Sequence, residues 1–423
     1  MLDHKFVRKN IELVKKAVAD KKESVNLDNF LKLEQERRLL LAQADALKHE
    51  RNVVSKEISR LKRSKQDASD KISEMKRTGE KIKELDMDRR RVDEEIDEIL
   101  RWTPNIPHES VPVGKDESDN VVIREWGDKP NFDFQPKPHW EIGERLGIMD
   151  FSAASKIAGS GFILTKGAGA RLERALINFF LDTHTADHGY TEIYPPCLAN
   201  EQSMFGTGQL PKLKDDMYCL EGDKLFLIPT GETPITNIHR DEILSVDRLP
   251  IFYTALTPCF RRESGASGKD TRGMARVHQF NKVEMVKFVR PENSWDELER
   301  LVANAEILLK KLGLPYRVVK LCTGDLSFAG AICFDLEIWS SGVKRYLEVS
   351  SCSNFVDFQA RRANIRFRPN PKAKPQFVHT LNGSGLALPR TVIGIIENYQ
   401  LEDGRVAVPE PLQPYMGGLK IIE

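Results

Sequence analysis

A strict seven-residue series of apolar side chains, Leu33, Leu40, Leu47, Val54 and Leu61, with Ala44 and Ile58 on the intervening seam positions, constrains this chain more than any other feature. Such a series keeps one stripe of a helix against a partner helix, and it is incompatible with a strand, whose faces alternate with period two. A second series, Ile72, Met75, Gly79, Ile82, Leu85, Val92, Ile96 and Ile99, resumes after the polar residues 63–70, which carry no seam residue. Between Asn29 and Leu100 there is no proline, and Gly79 is the only glycine. The pattern predicts two antiparallel helices over about 29–100, joined within 63–70. At 1.5 Å per residue, roughly 35 residues per helix make an arm about 50 Å long, too thin to enclose a core of its own. At its tip Arg60, Lys62, Arg63, Lys65, Lys71, Lys76 and Arg77 outnumber Asp67, Asp70 and Glu74. A phosphate backbone suits that end. Taken alone, a solvated, charge-laced helix pair is the ordinary reading of such a hairpin; the rest of the chain turns the argument the other way.

The full chain has 423 residues, more than one hydrophobic core usually serves, so two domains are expected. Prolines crowd residues 102–138 and end the second helix, placing the boundary near 105: domains 1–105 and 106–423. Beyond it, β-rich runs at 190–194, 252–255, 277–286 and 334–338 interleave with helical stretches at 172–181 and 295–312. Several strands follow one another without a helix between them, which predicts an antiparallel α+β body rather than a doubly wound parallel sheet. Lys plus Arg number 64 against 63 Asp plus Glu, so a nucleic-acid site must come from local clustering. The six cysteines show no C-x-x-C pair and no Cys/His metal spacing, which predicts reduced, buried thiols and no structural zinc. The first residues, Met1 to Lys5, form no apolar signal core, and no run of about 18 apolar residues exists. A cytoplasmic protein without a membrane partner is expected.

The chemistry is concentrated in the second domain. Residues 265–270 have neither the spacing nor the hydroxyl of a Walker loop, which excludes that route to ATP. Instead Phe260-Arg261-Arg262-Glu263 precedes a Gly/Ser-rich loop, followed by Arg272, Arg276, Val277 and the strand His278 to Glu284 with Phe280. An arginine on a strand grips a phosphate bidentately and stays charged at every working pH. Singly, each of these residues is an ordinary ion pair or core aromatic; together, about 252–286 resembles motif 2 of the class II aminoacyl-tRNA synthetases. That resemblance implies Arg261 on the α-phosphate, Glu263 on the adenine amino group and Phe280 stacked on the base, with Arg262, Arg276 and Val277 in the same ATP set. The run Leu381 to Arg390, continuing into a helix to Tyr399, resembles motif 3 of the class (about 381–399) and implies Arg390 at the γ-phosphate; Pro389 departs from the small residue expected there and fits a first helical turn. Residues 170–196 resemble motif 1, which implies a homodimer. The fold implied is an N-terminal antiparallel two-helix arm followed by a class II catalytic domain, an antiparallel β-sheet flanked by helices.

Thr230-Gly231-Glu232, Glu348-Val349-Ser350-Ser351 and Asn382-Gly383-Ser384 resemble the signatures of the seryl enzymes within the class. They imply activation of L-serine with ATP and its transfer to tRNA(Ser), and to tRNA(Sec) where that tRNA is present. Arg261, Glu263 and Arg390 are the catalytic set. Glu348 and Ser351, with Val349 and Ser350 beside them, are expected at the ATP phosphates, the first two as oxygen ligands of Mg²⁺. A serine pocket needs an anion for the ammonium and polar partners for the hydroxyl, which Thr230, Gly231, Glu232, Glu284, Asn382 and Ser384 can supply. Which glutamate takes which group is open; the preferred arrangement pairs Glu232 with Thr230 for the amine and Glu284 with Ser384 for the hydroxyl. The resemblance also gives the hairpin a task, shape readout of tRNA through Arg60, Lys62, Arg63, Lys65 and Lys71. Two rivals fit in part. Ligases that load a carrier protein usually lack the hairpin, and a non-catalytic paralogue ought to have lost Arg261, Glu263, Glu284 or Arg390, all of which are present.

Overall fold

A computed structural model describes residues 1–264 and 272–423; the rejected phosphate-loop candidate at 265–270 falls outside the described residues. These form two compact units, Met1–Pro104 and Asn105–Glu423.

In the first unit two short helices, α1 (His4–Lys9) and α2 (Ile11–Asp20), precede the long pair α3 (Leu27–Arg63) and α4 (Ser69–Arg101). The Asn26 side chain accepts the amide of Asn29 and caps α3. Arg37 meets Asp93 at 2.5 Å, Lys48 meets Asp86 at 3.3 Å and Lys71 meets Glu57 at 3.4 Å. One partner's number falls as the other's rises, so the helices are antiparallel as the two series predict. The seam departs from a strict repeat in three places. Leu100 is buried where the series predicts Ile99, because i+4 from Ile96 returns to the same face of a helix with 3.6 residues per turn. Ile72 is exposed, and Ala68, within the polar connection, packs against Val54 and Ile58.

The second unit is built on an eight-stranded sheet. Its strands are β1 (Val121–Trp126), β2 (Thr191–Glu192), β3 (Ile251–Phe260), β4 (Gln279–Val289), β5 (Tyr316–Lys320), β6 (Ile332–Ser340), β7 (Arg345–Asn354) and β8 (His379–Ala387), arranged β1-β5-β6-β7-β8-β4-β3-β2. Every neighbouring pair is antiparallel except β2 with β3. Strands occupy the four β-rich runs read from the sequence, although 190–194 yields only the two residues of β2. Helices α6 (Ala168–Asp182), α7 (Ser294–Lys311) and α8 (Leu388–Asn398) cover the sheet, and α5 (His139–Arg145) precedes them in the chain. On α7, Leu298, Leu301, Val302, Ala305, Leu308 and Leu309 recur at helical spacing and are all buried in the main core. Each large one contributes about 1.5–3 kcal/mol by leaving water. The register of β6 against β7 slips by one: Leu336 faces Ser350 but Glu337 faces Glu348, leaving Val349 as a bulge.

Among the described residues no helix is long and apolar enough to cross a membrane. All six thiols are free; Cys259, Cys322, Cys333 and Cys352 are buried as expected, whereas Cys197 is half-buried and Cys219 exposed.

Candidate active site

A cavity of about 480 Å³ opens over one face of the central strands. Strand β3 delivers Arg261 just past its end, where the Arg261 amide bonds to the His278 carbonyl at 3.0 Å and extends the β3–β4 ladder by one rung. The guanidinium carbon lies 5.3 Å from the centre of the Phe280 ring on β4, and Arg261 Nε donates to the Pro229 carbonyl at 3.3 Å. Glu263 follows in the left-handed region at φ +49° and pairs with Arg276 at 3.3 Å. From the opposite wall α8 presents Arg390 in its first turn, beside Pro389, which occupies the helical start expected of it. Arg390 Nη1 reaches the Glu348 carboxylate at 3.2 Å and its carbonyl at 2.8 Å. The bulge at Val349 explains how Glu348 and Ser351, three residues apart on β7, both face the cavity: the extra residue inverts the pleat between them.

The floor is a buried polar network. Glu284, fully buried on β4, holds Lys282 Nζ at 2.5 Å and accepts the Thr230 hydroxyl at 2.7 Å and the Asn382 amide at 3.1 Å. Lys282 also donates to the Thr230 oxygen at 2.8 Å. Beside it Glu232 accepts from Gln359 Nε2 at 2.5 Å, and Gln359 in turn accepts the Thr380 hydroxyl at 2.7 Å. Burial, reinforced by the negative charge of Glu284, pushes the Glu232 carboxyl up to about 7, against the opposing pull of the Gln359 hydrogen bond. Two cationic arms thus face each other across the cavity, each resting on a carboxylate or a carbonyl, above a floor that presents one tunable acid. That arrangement suits a polyphosphate and a small zwitterion side by side.

Most residues singled out in the sequence meet here: Thr230, Glu232, Arg261, Glu263, Arg276, Val277, Phe280, Glu348, Ser351, Asn382, Ser384 and Arg390 line the cavity. Others do not. Arg262 is exposed and its amide donates to the Asp216 carbonyl at 3.0 Å. Val349 is buried in the core, and the Ser350 hydroxyl donates to the Ser384 carbonyl at 2.6 Å, both being on the side of β7 that the bulge turns away. Gly231 and Glu284 lie behind the wall, and a Cβ on Gly231 would come within 3.0 Å of both Glu284 and Thr257. The Thr230 hydroxyl touches both glutamates, donating to the Glu284 carboxylate at 2.7 Å and accepting the Glu232 amide at 3.3 Å. Among the described residues no group of three or more His, Cys, Asp or Glu is placed to hold a metal ion.

Residues 217–399 match the family model for the tRNA synthetase class II core domain (G, H, P, S and T), and residues 1–107 match that of the Seryl-tRNA synthetase N-terminal domain. The serine–tRNA ligase of Desulforamulus reducens is 58% identical over 422 residues, covering 100% of both chains. That of Geobacillus kaustophilus is 56% identical over 423 residues with the same coverage. The chain belongs to the seryl-tRNA synthetase family. The crystal structure of seryl-tRNA synthetase from Pyrococcus horikoshii complexed with ATP superimposes with a TM-score of 0.94 at 39% identity, covering 100% of this chain and 99% of that one. The cytoplasmic serine–tRNA ligase of Naegleria fowleri in complex with AMP gives 0.90 at 30% identity with the same coverage. The class II fold and the ligase activity that the motifs lead one to expect are those of this family.

Within this seryl-tRNA synthetase fold, two floor residues carry parts that the sequence reading does not assign to them. Lys282 has a signal, since Phe280, Lys282 and Glu284 alternate along one strand and share a face. Gln359 has none; it sits on a short helix far along the chain and is brought to Glu232 by the fold alone.

Proposed function

We propose that the chain condenses L-serine with ATP to seryl-adenylate and pyrophosphate, and then transfers the seryl group to the 3′ end of tRNA(Ser). Arg261 grips the α-phosphate, Phe280 stacks on the adenine and Glu263 receives its amino group, while Arg276 and Arg390 turn from their carboxylate partners to the outer phosphates. A serine carboxylate oxygen attacks the α-phosphorus, the bond to the bridging oxygen breaks, and pyrophosphate leaves; positioning and charge stabilisation suffice, without an enzyme nucleophile. Glu232 holds the ammonium, and Ser384 with the Thr230–Glu284 pair behind it reads the hydroxyl. Glu348 and Ser351, on one face because of the bulge, would hold Mg²⁺ with phosphate oxygens and water, and the ion would neutralise phosphate charge. The observation that carries this reading is one cavity bounded by Arg261, Phe280 and Arg390 with Glu232 at its floor.

Pyrophosphate exchange offered serine, threonine, alanine and glycine in turn tests it. Exchange with serine alone is expected, alanine being disfavoured by about 10⁴ because it would leave the pocket's polar groups unpaired. No exchange with any of the four would sink the proposal. The Glu232 carboxyl at about 7 adds a pH dependence. Its ionised form binds the ammonium, so serine affinity at fixed ATP should strengthen as pH rises from about 6 to about 8, and Glu232→Gln should flatten that profile. A flat profile in the parent protein would remove Glu232 from the amine site.

The hairpin is the tRNA-binding element of this proposal. Arg60, Lys62, Arg63 and Lys65 are exposed at its tip, whereas Lys71 is already paired with Glu57 and Glu74 at 3.4 and 3.6 Å and contributes less. Replacing the first four by alanine should raise KM for tRNA and flatten its salt dependence by roughly one unit of log–log slope per lost phosphate contact, leaving pyrophosphate exchange intact. Equal losses in both assays would place the defect elsewhere. A homodimer through the motif 1 region is supported by the edge strand β2 and by Tyr194, which is 91% exposed. Sedimentation at twice the chain mass is the expected reading.

A further inference from the structure

Resting on the ATP-site reading, we propose that His139 is a positioning residue that ties the far end of the arginine-bearing helix α8 to the loop residues 273–277 that lead into β4, and so presets Arg390 and Arg276 for the nucleotide's phosphates. His139 opens the helix α5, is 2% exposed, and stands outside the lining of the nucleotide cavity. Its Nε2 accepts the Met274 amide at 3.0 Å. That nitrogen therefore carries a lone pair, the ring proton sits on Nδ1, and Nδ1–H donates to Glu397 Oε1 at 2.8 Å. Glu397, fully buried on α8, accepts the His139 amide at 2.9 Å on the same oxygen; on the other it takes the Gly342 amide at 2.9 Å and the Ser340 hydroxyl. The carboxylate is thereby saturated, and the ring is held at both nitrogens.

The link closes on itself. Met274 to Val277 line the cavity, and the carbonyl of Ala275, one residue from the amide that His139 holds, accepts Arg390 Nε at 3.3 Å. Arg390 and Glu397 stand seven residues apart on α8, two helical turns, and so on the same face. One helix thus contacts the loop twice, directly through Arg390 and indirectly through Glu397 and His139. Gly273 confirms how closely the ring is seated: its φ is +76°, and a Cβ there would lie 2.0 Å from His139 Nε2.

The test is steady-state pyrophosphate exchange with His139→Phe, which keeps a ring but loses both hydrogen bonds. KM for ATP should rise about tenfold while KM for serine stays within about twofold, and His139→Gln, whose amide offers one donor and one acceptor, should recover part of the loss. Gly273→Ala, which displaces the ring from the loop side, should reproduce the ATP-selective defect and serves if His139→Phe does not fold. Equal rises in both KM values, or lowered thermal stability with an unchanged KM for ATP, would overturn the inference. ATP binding by calorimetry on the same proteins separates the two levels of argument: a parent protein that binds ATP without serine exchange condemns the ligase reading, while the ratio of ATP affinities between parent and variant still judges His139.

Discussion

Arg261→Ala is expected to lower serine-dependent pyrophosphate exchange by about a thousandfold, the loss typical of removing a preorganised donor aimed at developing charge. The guanidinium is held on two sides, by the Pro229 carbonyl at 3.3 Å and by the Phe280 ring with its centre 5.3 Å away, so it needs little reorganisation to meet a phosphate. Arg261→Lys should recover little of the activity, because an ammonium cannot reproduce the bidentate fork or the stacking. Measured as kcat/KM for exchange, a loss below about tenfold would mean that the α-phosphate is held elsewhere. Folding should be almost unchanged, since the half-buried Arg261 side chain is tied to the protein by a long hydrogen bond and a ring contact.

Glu284→Ala is expected to do the opposite, striking stability and serine binding together. Its carboxylate is the acid that meets the buried Lys282, and it also receives Thr230 and Asn382. Removing it leaves an ammonium buried at 6% exposure without that counter-charge, a loss of about 3–5 kcal/mol. A urea midpoint reports that change. The double replacement Glu284→Leu with Lys282→Met should recover much of the stability, since neither charge is then stranded, yet should not recover exchange with serine. Recovery of both would show that the pair serves folding alone and has no part in reading the substrate.

Several features are legible in the sequence because they are local. The two apolar series specify two long helices, and the turn between them falls where the first series breaks off, although Ala68 within that connection packs onto the seam. The alternation along β4 puts Phe280, Lys282 and Glu284 on one face, although only the first and last announce what they carry. Arg261 and Arg390 stand out as candidate phosphate ligands because their neighbours in sequence form a pattern specific to one enzyme class, and that pattern is local as well.

What the chain's order alone could not supply was which neighbour each polar group would meet. Glu348-Val349-Ser350-Ser351 reads as four candidates, and the tertiary structure selects Glu348 and Ser351 because a bulge at Val349 inverts the pleat, a choice made by the register of β6 against β7. Thr230 stands two residues from Glu232 yet donates to Glu284, 54 residues away, since a hydroxyl at the floor meets whichever acceptor the sheet carries beneath it. Gln359 and His139 carry no motif and gain their parts from partners 127 and 258 residues distant. Periodicity and motif chemistry are properties of neighbours along the chain and belong to the sequence. The pairing of buried donors with acceptors is a property of packing, and it was decided only when the sheet closed around them.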